Sequence, residues 1–399
     1  MQLRKMIWFG VAVVSMVCPR LGHAQTIDER ISILEEKIKE RAAALPFDFN
    51  ALIATDYQYS FNTPSSHDVR LHTFVPNAPT FSINDAALFF GRNRDDEPFG
   101  FQLSFDFGQT GATVNGINES TPGLREAYLL YKSPINFPTS DKGITLKAGK
   151  FVTLLGYEVI KTPTNFNPNI SNSIQFGYGV NFTNVGAMAN VPVADFLSFD
   201  LGVINGWDDP TDNNSSLTFM GGMSLTPIDW FSSYIAGSYG AEQPNNNGSK
   251  IGCLTANATF KATDFLTFVI DGTWAAENDI TFNTNGKTGT ANWEGLAGYA
   301  IWQITQPLQV VLRLETFNDP EGVRTGASVN PNAPQGAGTV WALTPTIAYQ
   351  LAEHLWARAE YRYDRASRRY FDFGDLNQDG TSPVRRTSNV MIMEGIFAF

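Results

Sequence analysis

The sequence predicts an all-β chain: a transmembrane antiparallel up-and-down β-barrel of about sixteen strands, within a range of about fourteen to eighteen, with a short N-terminal α-helix. Three observations predict it. From residue 47 to the end, apolar and polar residues alternate with a period of two. The connections between the alternating runs are long and short by turns. The composition is 13% aromatic and only 17% charged, yet outside residues 6–18 no apolar run approaches the roughly 18 residues of a spanning helix.

Residues 1–24 read as an export signal. Arg4 and Lys5 precede the apolar stretch, and Gly22 and Ala24 put small residues at the two positions a signal peptidase reads. The whole chain carries −11, and the mature chain from Gln25 would carry −14, because Arg4, Lys5 and Arg20 leave without any acidic residue. Cys18 would leave too, so Cys253 has no intrachain partner and a disulfide scaffold is excluded. As a lipoprotein cysteine Cys18 is poorly placed, since Ser15-Met16-Val17 lacks the Leu and the small residue that such a site carries.

Residues 25–46 predict the helix. Ile27, Ile31, Leu34, Ile38 and Leu45 form one stripe, Asp28 and Glu29 favour its N-terminal end, and Pro46 ends it. Fewer than three heptads are marginal alone. The stripe must therefore be buried, either on the rest of the chain or between subunits.

The strands follow within 47–399. In 47–62, Phe47, Phe49, Ala51, Ile53, Tyr57, Tyr59 and Phe61 share one face; in 99–108, Phe99, Phe101, Leu103, Phe105 and Phe107 do; in 355–364, Leu355, Ala357, Ala359, Tyr361 and Tyr363 oppose Trp356, Arg358, Glu360, Arg362 and Asp364. Similar alternation marks 144–150, 185–191, 197–203, 266–274, 308–316 and 389–399. Weaker patterns at 80–91, 124–132, 217–226, 230–239, 250–261, 291–303 and 339–350 complete the set.

The expected long connections are 63–79, 109–123, 154–181, 206–216, 240–249, 276–290, 318–338 and 365–386, separated by tight turns such as Pro227-Ile228-Asp229 and Ala352-Glu353-His354. Turns at one end and loops at the other are the asymmetry of an outer-membrane barrel. A soluble sandwich has no reason to sort its connections by parity. An oily face and a charged face on each strand place lipid outside and water inside, and only a closed barrel pairs every backbone group in lipid. The terminal Phe397-Ala398-Phe399 resembles the C-terminal signal of bacterial outer-membrane proteins, which makes Phe399 the expected contact for the barrel-assembly machinery.

Four stretches resemble the putative beta-barrel porin-2 family (OmpL-like). They are Ala148-Gly149-Lys150-Phe151 running to Gly156-Tyr157-Glu158, Val203-Ile204-Asn205-Gly206-Trp207-Asp208, residues 312–322 (LRLETFNDPEG) and Ala359-Glu360-Tyr361-Arg362-Tyr363-Asp364. The resemblance implies a pore-forming outer-membrane barrel and supplies no substrate.

A lumen of sixteen strands would be wide enough for water and small solutes. By strand parity the inward charges include Asp56, Asp106, Lys147, Asp200, Asp271, Arg313, Glu315, Arg358, Glu360, Arg362, Asp364 and Glu394. Arg313 and Arg358 should lie two strands apart on one wall, beside Glu315 and Glu360, either as a transverse field across the pore or as a paired network that stiffens it. By analogy with general porins the third loop, 154–181, with Glu158 and Lys161, is the candidate constriction, and deletion of 162–172 should raise conductance. The alternative is an ordinary surface loop.

Asp375, Asn377 and Asp379 open a D-x-N-x-D-G calcium pattern, but Arg386 stands where a bidentate Glu is required. A solvated turn is the stronger reading. Catalysis finds no support: His67 and His72 fall in a long loop and are expected to be exposed, His354 falls in a turn, and no phosphate-loop or cofactor motif is present. The acidic balance and lack of a Lys/Arg cluster argue against nucleic acid. The expected protein is a bacterial outer-membrane porin for small hydrophilic solutes or ions, with membrane lipid as its surroundings and a homo-trimer suggested by the helix. The rival is a structural or adhesive barrel whose loops bind partners and whose lumen is blocked.

Overall fold

The computed structural model describes residues 47–94, 96–115 and 123–399. The expected signal at 1–24 and helix at 25–46 lie outside these residues. The strands are β1 (Asp48–Ser60), β2 (Thr80–Arg92), β3 (Phe99–Phe107), β4 (Leu124–Asn136), β5 (Gly143–Val152), β6 (Thr183–Ala194), β7 (Leu197–Ile204) and β8 (Thr218–Ile228). They continue with β9 (Phe231–Gln243), β10 (Asn246–Thr263), β11 (Leu266–Thr281), β12 (Thr288–Thr305), β13 (Leu308–Asp319), β14 (Gly338–Ala352) and β15 (Leu355–Ala366). A two-residue ladder of β16 (Phe371–Asp372) and β17 (Val384–Arg385) precedes the last strand, β18 (Thr387–Ala398).

β1 to β15 and β18 form one closed barrel of sixteen strands in sequential order. Every run of alternation in the sequence corresponds to one of them. Closure is made by β1 and β18, paired antiparallel from Leu52–Ala398 to Ser60–Val390. The last residue completes the seam: Phe399 N–H donates to Ala51 O at 3.0 Å, and Ala51 N–H donates to Phe399 O at 2.9 Å.

Period two divides the faces as expected. Phe81, Phe99, Leu129, Leu201 and Phe219 stand exposed on the outside, while Arg313, Arg358, Glu360, Arg362 and Asp364 are buried inside. Two connections differ from expectation. Residues 240–249 and 276–290 are largely strand, because β9 and β10 run to a turn at 244–245 and β11 and β12 to one at 282–287. β10 and β12 have 18 residues each, well beyond the roughly 9–11 that suffice to cross a bilayer. Alternation fades there because the distal residues, among them Gln243, Asn246, Glu277 and Asn278, are mostly polar. The connection at 109–123 contains a short helix, α1 (Gln109–Asn115).

The largest apolar cluster lies inside the barrel. Leu71 and Phe74 of the first loop, Leu155, Ile160, Ile174 and Phe176 of the third loop, and Trp293 and Phe317 of the wall are all buried in it. These two loops have folded inward.

Candidate functional site

The third loop, residues 153–182 between β5 and β6, is fastened to the inner wall by its own backbone. Glu360 on β15 accepts hydrogen bonds from Ile170 N–H (2.6 Å), Ser171 N–H (3.0 Å) and Thr346 Oγ1 (2.7 Å). Glu315 on β13 accepts from Ile174 N–H at 2.6 Å. Guanidinium groups bind the carbonyls of the same segment: Arg313 donates to Ser171 O (2.6 Å), Arg362 to Asn172 O (2.9 Å) and Arg358 to Asn167 O (2.7 Å). A loop has unpaired backbone groups, and alternating Arg and Glu on the wall satisfy both kinds.

The two loop residues singled out from the sequence are part of this seat. Glu158 accepts from Arg313 at 3.1 Å, Tyr299 OH at 2.9 Å and Ser173 N–H at 2.8 Å. Lys161 Nζ lies 2.6 Å from Glu394 Oε1, and Arg125 donates to Ile160 O at 2.8 Å. Arg313 and Arg362 have no exposed surface and Arg358 has 4%. These charges face inward and are covered by the loop.

The loop continues into a π-helical turn, Gln175–Gly179. Gln175 Nε2 donates to Asp271 at 2.7 Å, and Trp293 Nε1 donates to Gly179 O at 3.0 Å. The turn sits so close to β12 that a Cβ at Gly295 would lie 2.5 Å from Gln175 Cβ. Beyond it, Arg324 donates to Tyr178 O at 2.6 Å while its guanidinium packs over the rings of Trp207 and Trp293. Asp208 accepts from Phe182 N–H at 2.6 Å and Thr183 N–H at 2.9 Å; burial pushes this carboxyl up to about 6 against those two bonds. All four stretches that carry the family resemblance therefore contribute to holding the third loop, through Phe151 and Glu158, Trp207 and Asp208, Arg313 and Glu315, and Glu360 and Arg362.

Sequence reasoning missed the first loop. His72, expected to be exposed, is buried with Nε2 3.4 Å from Asp364 Oδ2, and burial holds its imidazole below the ordinary histidine range. Gln58 donates to Val75 O at 2.8 Å and Asn84 to Phe74 O at 2.7 Å, which draws this loop in beside the third. Nothing in the local sequence around His72 signals that seat. His67 is exposed, as expected.

The remaining candidates stand apart. Lys147 on β5 faces the lumen in partial exposure. Asp379 Oδ1 accepts from Thr381 N–H at 3.0 Å and Thr381 Oγ1 at 2.6 Å, Asn377 donates to Thr381 Oγ1 at 3.0 Å, and Asp375 accepts from Ser65 Oγ at 3.3 Å. Their polar atoms are engaged within the loop and with Ser65 of the first loop. Among the described residues no three His, Cys, Asp or Glu side chains are grouped to hold a metal.

Residues 46–399 match the family model described as Putative beta-barrel porin-2, OmpL-like. No curated protein matches the chain. Among solved structures, the outer membrane channel DcaP of Acinetobacter baumannii is similar with a TM-score of 0.56 and 12% identity, over 88% of this chain and 97% of that one. An anion-selective porin from Comamonas acidovorans gives 0.55 and 9%, over 88% and 99%. The trimer form of OmpT of Vibrio cholerae gives 0.53 and 11%, over 88% and 99%. At such identities the likeness is one of fold.

Proposed function

Because the chain belongs to the Putative beta-barrel porin-2, OmpL-like family, we propose that it is a passive diffusion channel of the bacterial outer membrane for small hydrophilic solutes or ions. The observation that carries this reading is the arrangement of faces in a closed barrel. Large apolar side chains stand exposed outside, and charged and polar side chains point inward. Such a cylinder is at ease only with lipid around it and water within it. The barrel acts by shape and lining charge, without chemistry on the solute.

Export through the segment 1–24, assembly through Phe399 and association into trimers belong to the same proposal. OmpT, a barrel of similar fold, has a trimer form. The rival reading, a structural barrel with a blocked lumen, draws support from the inward folding of the first and third loops. Conductance in planar lipid bilayers separates the two. Discrete current steps from folded protein are expected, and their absence from a barrel that still migrates heat-modifiably on gels would overturn the channel.

A further inference from the structure

The inward side chains fall into two sets. On β13–β15, β18 and β1–β3 they are buried beneath the two inserted loops, as at Arg313, Glu360, Glu394, Gln58 and Asp106. On β4–β10, Met188, Ile204, Met220, Ser238 and Cys253 are buried as well, but Tyr128, Lys147, Asn190, Asp200, Tyr234 and Asn257 keep partial exposure. Water reaches the wall at this second set, so a solute entering the barrel would meet these side chains.

The charges along these strands differ in how far they are satisfied. Asp200 accepts from Asn190 Nδ2 at 2.9 Å and from Tyr234 OH at 2.8 Å. Glu126 accepts from Ser104 Oγ at 3.3 Å and Val152 N–H at 3.4 Å. Lys147 has no such partner. Its Nζ lies 4.4 Å from the centroid of the Phe151 ring and 5.7 Å from that of Tyr128, and among the described residues it makes no hydrogen bond and no ion pair. Ring faces attract a cation but leave all three N–H donors unused.

We propose that Lys147 is the solute-recognition residue of the channel, binding the carboxylate of small organic anions whose apolar body lies against Tyr128. This deepens, and rests on, the channel reading. The ammonium supplies the charge-assisted hydrogen bonds that the wall leaves vacant. Tyr128 is itself partly buried against the apolar cluster and offers the adjoining apolar surface. Asp200 and Glu126 lie beyond ion-pair distance, yet their charges reach the ammonium. They weaken the hold on an anion, as conduction requires, since a bound solute must also leave. The selectivity is local and opposite in sign to the net charge of −11.

The test uses the full-length barrel in planar bilayers, with benzoate and its neutral amide, benzamide, as probes of potassium chloride current. Benzoate should interrupt the current of the unaltered protein at concentrations where benzamide does not. Lys147→Gln should weaken the interruption about tenfold, the equivalent of one charge-assisted contact, and Lys147→Arg should restore most of it. Equal effects of benzoate and benzamide on the unaltered protein would overturn the assignment, and this arm needs no variant to fold. So would undiminished benzoate block in a conducting Lys147→Gln channel. Absence of any current from the folded, unaltered barrel would instead overturn the channel reading itself.

Discussion

Arg358 and Glu394 stand directly opposite each other on β15 and β18, and Arg358 Nε donates to Glu394 Oε2 at 2.7 Å. The pair is a cross-strand contact within the wall, but it also takes a third member from the loop, because Lys161 binds the other carboxylate oxygen at 2.6 Å. One carboxylate thus serves two cations, each from a different layer. All three groups are buried.

Glu394→Gln keeps the shape of the side chain and removes its charge. Two buried cations would lose their anion, and breaking a buried pair from one side costs about 3 kcal/mol. The expected outcome is a lower urea midpoint for the barrel in lipid vesicles, with the unfolding slope unchanged. An unaltered midpoint would show that the triad contributes nothing net.

Glu360→Gln acts on the loop rather than the wall. Its carboxylate holds two consecutive backbone N–H groups, and hydrogen bonds to a charged acceptor are worth about 1.5–3 kcal/mol each. The variant should keep the barrel but loosen residues 167–174, seen as faster hydrogen exchange there and as larger single-channel conductance. Deletion of 162–172 should raise conductance further, since it also removes the carbonyls that Arg313, Arg358 and Arg362 bind.

Gly295→Ala tests the close approach of the π-helical turn. The new methyl would collide with Gln175 Cβ, and overpacking of this kind costs about 1–3 kcal/mol. Displacement of the turn should break the Trp293–Gly179 hydrogen bond and shift tryptophan emission. Gly286 provides the control, because a Cβ there meets no atom within 4 Å; its positive φ confines any penalty to the turn itself.

His72 predicts a pH response of the first loop. Burial lowers its folded pKa below the ordinary value of 6.5, so the unfolded or undocked loop binds more protons than the docked one as pH falls below 6.5. The stabilisation is therefore complete above 6.5 and diminishes on acidification towards the folded pKa. Protection of residues 61–79 from hydrogen exchange, taken relative to the intrinsic exchange rate at each pH, should fall between pH 7.5 and 5, and His72→Gln should flatten that dependence.

The barrel was legible because strand periodicity is a local property. Phe99 to Phe107 and Leu355 to Asp364 announce both the strand and its faces without reference to any other segment. Parity also placed Arg313, Glu315, Arg358 and Glu360 inside the barrel. What lies over them was not legible: Glu360 meets Ile170 and Ser171 across 190 and 189 positions of chain, and a loop's backbone donors carry no side-chain signature. His72 escaped for the same reason, its partner Asp364 being 292 positions away. The expected openness of 240–249 and 276–290 failed because strands whose distal residues are mostly polar look like loops.

The loops settled in the interior give a single barrel two regimes of tolerance to substitution. Along β13–β15, β18 and β1–β3 the lumen behaves as a packed protein core, where a changed charge or volume is felt as lost folding free energy. At the partly exposed inward positions of β4–β10, such as Lys147 and Asn190, it behaves as a surface, where the same change leaves stability within about 0.5 kcal/mol. Substitutions can therefore accumulate at the exposed positions of the inner wall while the buried ones keep the barrel folded.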